Sequence, residues 1–348
     1  MLDRSWKPQL NNILVIKLRY IGDVVLSTPV LSMLRRQFPH ANLVCLVNPG
    51  TQEVLQHNPH VDDVVVMARG SLVEQIQFWL ELRRRQFDCV IDLTDGDRSA
   101  FLTWISGASR RIGFNSENRW RGKLYSHCIS SGIAKRHMVE YHMQALTFVD
   151  VPSVVQKPEV FAGPEQTARA HARLDELGLL GRRWVMVHPT ARYWFKAWPV
   201  ERFARLCDRL AGSTLSIVLV GDTRDQEIAA KIQEVAKTSI FSLVGKTPLL
   251  ELAAMMKHAA LFIGNDTGMM HIASAVGCPV VGLFGPTNPE TWGPRGARTK
   301  VIYKGLDCRA CFRPGCFRGE ESCMKLISVD EVYEAARELL REVEHAES

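Results

Sequence analysis

Apolar and polar positions alternate along this chain in two periods. Runs of Ile, Leu and Val at 13–16, 43–47, 64–67 and 90–93 have the continuous apolar character of strands buried on both faces. Between them, 24–38 and 72–85 space Leu, Val and Phe as one face of a helix, with charges on the other. Strand and helix in turn predict parallel α/β structure. From 106 to 135 the pattern gives way to a basic stretch containing Gly and Ser, then to a helix at 139–149. Pro152, Pro158 and Pro164 discourage regular structure over 151–165. The alternation restarts with helix 166–179, strand 184–188, helix 200–210, strand 215–220 and helices 225–237 and 249–258. Strand 261–264, helix 269–276 and strand 280–284 complete it. The reading is two Rossmann-like parallel-sheet domains, 1–165 and 166–348, with ligands at the carboxyl ends of the strands in a cleft between them. A last helix, 330–344, is a candidate to cross back onto the first domain.

Composition narrows the class. With 348 residues, 46% hydrophobic and 23% charged, the chain exceeds what one core usually supports. Its apolar runs are interrupted long before the roughly 18 residues of a membrane span, and residues 1–10 lack the apolar core of a signal peptide. Nine scattered cysteines suit a reducing compartment rather than a disulfide scaffold. A cytoplasmic protein is expected. The net charge of +6 is uneven. Arg98, Arg110, Arg111, Arg119, Arg121, Lys123, Lys135 and Arg136 face only Glu117 between 98 and 136, a stretch that should attract an anion. It lacks any nucleic-acid-binding motif, so nucleic acid is not an expected partner.

Three strand-to-helix loops carry candidate chemistry. In the first, Lys17-Leu18-Arg19-Tyr20-Ile21-Gly22-Asp23 ends a strand in cations and sets Asp23 where a helix N-cap belongs; a cap is its plain role, a general base its functional one. In the second, His188-Pro189-Thr190-Ala191-Arg192-Tyr193-Trp194-Phe195-Lys196-Ala197-Trp198-Pro199 sets Arg192 and Lys196 where a diphosphate needs cations, and Trp194 and Trp198 can seal the loop on the core. The third is Gly264-Asn265-Asp266-Thr267-Gly268-Met269-Met270-His271, whose helix start offers backbone N–H groups to an anion. Asp266 there is a cap, an orienter of Lys196 or an acceptor for a sugar hydroxyl. His271 is a donor contact or a hydrogen-bonded core histidine.

Other patterns are set aside. Gly245-Lys246-Thr247 has Ile240 where a P-loop needs glycine, and no GxGxxG follows the first strand. Cys308, Cys311, Cys316 and Cys323 supply enough thiolates for zinc, but their spacing is not that of a ribbon or finger, and no metal site is predicted.

The three loops, with Thr28-Pro29 and Phe284-Gly285-Pro286-Thr287-Asn288-Pro289, resemble the ADP-heptose:lipopolysaccharide heptosyltransferase family over residues 13 to about 340. The opening loop is most similar to members that add the third, branch heptose. The resemblance implies a GT-B fold and inverting, metal-independent transfer of heptose from ADP-L-glycero-β-D-manno-heptose to the lipopolysaccharide inner core, without a cofactor. It matches Asp23 to the family's proposed base and Lys196 to its diphosphate-contacting lysine. Asp266, Thr267, Gly268 and His271 match the donor-binding turn, Asp225 falls near an acidic ribose contact, and Thr190 and Arg192 lie in the donor loop. Lys17, Arg19, Arg98, Arg119, Arg121 and Lys123 are expected toward the acceptor, whose membrane location suggests peripheral contact with the inner membrane. The sequence has one Asp-x-Asp, Asp95-Gly96-Asp97, and it lies in the acceptor domain. The competing readings are another GT-B glycosyltransferase, a sugar-nucleotide epimerase, and a non-catalytic nucleotide-binding protein.

Overall fold

Parallel pairing of the apolar runs builds two sheets. The computed structural model describes residues 10–130, 132, 136–152, 154, 156–306, 308 and 315–347, and the chain divides into two compact units, Met1–Glu159 and Val160–Ser348.

The first unit runs β1 (Asn12–Lys17), α1 (Ile21–Val25), α2 (Thr28–Gln37), β2 (Asn42–Val47), β3 (Asp63–Val66), α3 (Leu72–Arg84), β4 (Cys89–Asp92), α4 (Asp97–Ile105), β5 (Arg110–Phe114), β6 (His127–Ile129) and α5 (Met138–Met143). Its sheet has the order β3-β2-β1-β4-β5-β6, all parallel. The strand order therefore reverses between β1 and β4, the place where doubly wound sheets open a crevice at their carboxyl ends. The helix predicted over 24–38 is instead two. The Ser27 and Thr28 hydroxyls donate to the carbonyls of Val24 and Val25, competing with the helical ladder where Pro29 restarts it. Two strands, β5 and β6, lie within the stretch read as irregular.

The second unit runs α6 (Pro164–Glu176), β7 (Trp184–His188), α7 (Val200–Ala211), β8 (Ser216–Leu219), α8 (Gln226–Val235), β9 (Phe241–Ser242), α9 (Leu249–Met256), β10 (Leu261–Asn265), α10 (Gly268–Ala275), β11 (Val280–Phe284), α11 (Pro289–Trp292), β12 (Thr299–Tyr303), α12 (Cys323–Leu326) and α13 (Val329–Glu347). The sheet order is β12-β11-β10-β7-β8-β9, with its reversal between β7 and β10. Helix α7 buries Phe203, Ala204, Leu206, Cys207 and Leu210, the stripe of a surface helix. The C-terminal helix packs within this unit, contributing Val332, Ala335, Ala336, Leu339 and Leu340 to the core that holds β7, β8 and α7.

Candidate active site

At the end of β1 the chain turns through Leu18-Arg19-Tyr20 into α1. Asp23 is the third residue of that helix rather than its cap, because the helix begins at Ile21; its Oδ2 accepts the Tyr20 N–H at 3.4 Å. Oδ1 faces the Lys17 ammonium at 3.8 Å, and the Asp23 side chain remains 16% exposed. Lys17 is buried at the strand end. It donates to the Leu93 carbonyl at 2.8 Å and to His142 Nε2 at 2.9 Å. An ammonium only donates, so His142 Nε2 accepts and its Nδ1–H donates to the Leu26 carbonyl at 3.2 Å. His142 is thus held neutral; burial and the nearby Lys17 charge drive its pKa well below the ordinary histidine value. Burial also brings Lys17 down to about 8, against the opposing pull of Asp23.

Around the end of β4, a cavity of about 290 Å³ is lined by Arg19, Asn48, Arg69, Thr94 and Arg98, among others. Arg19 is aimed by two bonds to the Thr94 carbonyl, 3.3 and 3.2 Å, and Arg98 donates to the Ala68 carbonyl at 3.3 Å. Arg69 escaped the sequence reading. Its signal was available, a cation three residues past a strand's carboxyl end, but it lies outside the basic stretch.

Much of the charge in that stretch is neutralised internally. Arg121 is buried and bonds Asp95 at 2.7 Å, Asp97 at 3.1 Å and Glu117 at 3.1 Å, and Arg119 pairs with Asp97 at 3.0 Å. Asp95 also accepts from Ser116 and from Tyr141. Burial alone would raise its pKa, but the bonds from Ser116 and Arg121 outweigh that and hold it below the usual carboxylate range. Arg110 and Arg111 donate to backbone carbonyls. Lys123 is exposed, and Lys135 lies outside the described residues.

In the second unit, the ends of β7 and β10 bring two of the predicted loops together. Asn265, the last residue of β10, donates to the carbonyls of Pro189 and Thr190 at 2.9 and 3.2 Å and accepts the Trp198 N–H at 3.1 Å. One buried amide thereby clamps both ends of the loop that carries Lys196. Trp198 seals the loop as expected, buried with Nε1–H on the Ile327 carbonyl at 3.0 Å; Trp194 is exposed instead. Glycine is required at 285, where a Cβ would lie 2.9 Å from the Phe195 carbonyl oxygen.

Lys196 Nζ bonds Asp266 Oδ2 at 2.6 Å, with Asp266 buried and Lys196 partly open. Of the three roles open for Asp266, the structure thus shows the pairing with Lys196, and Thr267 is the N-cap of α10. Thr190 and Thr267 each place a hydroxyl 3.4 Å from a ring nitrogen of buried His188. Burial lowers His188 to about 4 despite the nearby Asp225 and Asp222, so it stays neutral and orients the two hydroxyls. Asp225 Oδ2 accepts the Asp222 N–H at 2.8 Å after β8. Arg192 is exposed beside the Tyr193 ring, Gly268 opens α10, and His271 is buried on it. Among the described residues no three His, Cys, Asp or Glu side chains are grouped to hold a metal; Cys311 lies outside those residues.

Two doubly wound units, each with charged side chains at its strand-order reversal, are the GT-B class of fold. Residues 75–320 match glycosyltransferase family 9 (heptosyltransferase), and the chain belongs to that family. It is 30% identical to lipopolysaccharide heptosyltransferase 3 of Escherichia coli, over 80% of this chain and 84% of that one. It is 26% identical to lipooligosaccharide heptosyltransferase 2 of Haemophilus influenzae, over 84% and 88%. Among solved structures, the family 9 glycosyl transferase of Veillonella parvula superposes with a TM-score of 0.85 at 25% identity, covering 97% of this chain and 99% of that one. E. coli heptosyltransferase WaaC with ADP superposes at 0.73 and 21% identity, covering 94% and 99%.

Proposed function

We propose that this glycosyltransferase moves L-glycero-D-manno-heptose from ADP-heptose to the lipopolysaccharide inner core, with inversion and without a divalent metal. The observation that carries the reading is the Lys196–Asp266 pair at the reversal between β7 and β10, beside the start of α10. A leaving diphosphate needs a fixed cation and oriented N–H groups there. Asp23 accepts the proton of the acceptor hydroxyl as its oxygen bonds to the anomeric carbon; the bond from that carbon to the diphosphate oxygen breaks on the opposite face. ADP departs with its new charge met by Lys196, Arg192 and the N-terminus of α10. Thr190, Thr267, Gly268, Asp225 and His271 complete the donor site. The acidic pair Asp95 and Asp97, the obvious place to seek a metal-binding Asp-x-Asp, is already engaged by Arg121 and Arg119, which supports metal-independent chemistry. The cavity with Arg19, Arg69 and Arg98 suits a carboxylate or phosphate of the acceptor.

Incubation with ADP-heptose and a delipidated core acceptor in EDTA tests the reading. Heptose-sized mass gain and stoichiometric ADP release are expected, and Asp23→Asn should lower turnover about 10²–10⁴-fold with ADP affinity near wild type. No mass gain, or an Asp23→Asn rate above a tenth of wild type, would overturn it.

A further inference from the structure

Helix α3 carries two apolar faces where a surface helix needs one. Phe78, Trp79 and Leu82 turn into the core of the first unit. On a different side, Leu72, Val73, Ile76 and Leu80 occupy about a third of the circumference, and all four face solvent, Leu72 at 67% and Leu80 at 49% exposure. Single exposed apolar residues are ordinary; four on one arc of a 13-residue helix are not. Trp104, 52% exposed on the neighbouring α4, adjoins the helix through Phe101, which lies 6.1 Å from Trp104 and packs edge-on against Trp79 at 5.1 Å.

The charges sort around this arc. Arg83 and Arg84 are exposed at its C-terminal end. The acidic residues point elsewhere and have partners of their own, Glu74 in the Ser71 capping box and Glu81 near Arg85. Arg69, two residues before the helix cap, lines the arginine-rich cavity at the end of β4. The helix thus leads directly to the cavity.

We propose that the solvent-facing arc of α3 is a membrane-docking surface, its apolar side chains entering the interface of an anionic bilayer while Arg83 and Arg84 meet lipid phosphates. Apolar residues beside arginines, with a tryptophan alongside, are the chemistry that partitions into a headgroup layer. A second copy of the chain fits less well, since the same arc would offer Arg83 and Arg84 no anion, Glu74 and Glu81 lying off it with partners of their own. The proposal rests on the acceptor reading above, under which the sugar acceptor is carried on a lipid. Docking through α3 would hold the neighbouring cavity at headgroup level, where that acceptor lies.

Flotation with extruded vesicles of phosphatidylethanolamine containing one quarter phosphatidylglycerol tests it, with phosphatidylcholine vesicles and added salt as comparisons. Wild type should float with the anionic vesicles and release in salt, and Ile76→Glu/Leu80→Glu should bind about tenfold more weakly or worse. Both substitutions are on exposed positions, and circular dichroism together with transfer to the delipidated acceptor should match wild type. Equal flotation of variant and wild type, or no wild-type binding to anionic vesicles, overturns the proposal. So does a wild-type dimer in sedimentation that the variant lacks, which would make the arc a self-association face. Transfer to the delipidated acceptor reports on the functional reading alone, so the two can fail separately.

Discussion

The Lys196–Asp266 pair makes a prediction that a simple lysine contact does not. Under the proposed donor contact, Lys196→Ala removes one charge-assisted bond to the diphosphate, about 1.5–3 kcal/mol. It also strips the partner from Asp266, a carboxylate only 6% exposed and bonded to the lysine at 2.6 Å. That uncompensated charge then faces an incoming diphosphate. At a separation of roughly 8 Å and an effective dielectric of about 30, it repels the unit charge on the nearer phosphate by about 1.4 kcal/mol, the farther charge being screened. ADP affinity in Lys196→Ala should therefore fall by about 3–4 kcal/mol, several hundred-fold. Lys196→Ala/Asp266→Asn suffers only the first loss and should bind roughly tenfold tighter than Lys196→Ala, while Asp266→Asn alone stays near wild type. Isothermal titration with ADP in EDTA measures all four corners of the cycle. Thermal melting should rank Lys196→Ala lowest, by less than a fully buried pair would give because Lys196 is partly solvated. A double variant that binds ADP no better than Lys196→Ala would refute the argument, since Asp266 would then not be a charge that Lys196 masks.

Histidines buried in neutral form set the acid limit of stability. His188 is lowered to about 4 and His142 is lowered as well, both by burial, so the unfolded chain binds more protons below about pH 6.5; stability should fall by about 1.4 kcal/mol per pH unit per histidine between pH 6.5 and 5, read by denaturant titration, and a flat profile would contradict the burial. Lys17, brought to about 8 by burial, loses its charge as pH rises, so turnover should decline on the alkaline side with an apparent pKa near 8, and Lys17→Met should lack that limb. Asn265→Leu breaks the clamp on the Lys196 loop and should cost about 2–4 kcal/mol in stability and raise the donor KM, measured by melting and steady-state kinetics. Burial pushes the thiols of Cys89, Cys207 and Cys278 up to about 12 and Cys45 up as well, so mass spectrometry after a brief native treatment with iodoacetamide should find these four unmodified.

What could be read from the chain follows from which interactions are local. Strands such as β1 and β10 stand out because a central parallel strand is covered on both faces and so carries an unbroken apolar run, Ile13 to Ile16 in β1 and Leu261 to Ile263 in β10. The missed strands lack that signature: β5 begins with two arginines, β9 has two residues, and β12 is a half-exposed edge. The break between α1 and α2 depends on hydroxyl bonds to the preceding carbonyls, which helical spacing of Leu and Val does not register. Charge counting along the chain misjudged the basic stretch for a related reason. Asp95 and Asp97 fall just before its first arginine, yet folding lays Arg121 across both, so a linear window sees an anion-seeking surface where the structure has a neutralised, buried guanidinium. The loops bearing Lys196 and Asp266 were legible as strand-to-helix turns with suitable chemistry. Their pairing was only one of three roles for Asp266, because Asn265 brings together segments far apart in sequence. His142 gave no signal at all: it is one polar residue in a short helix, and its purpose appears only when the fold sets it against the buried ammonium facing Asp23. The residues proposed to touch substrate sit in loops with recognisable patterns, while those that fix their charge and position, Asn265 and His142, come from elsewhere in the chain and emerge only from the packing.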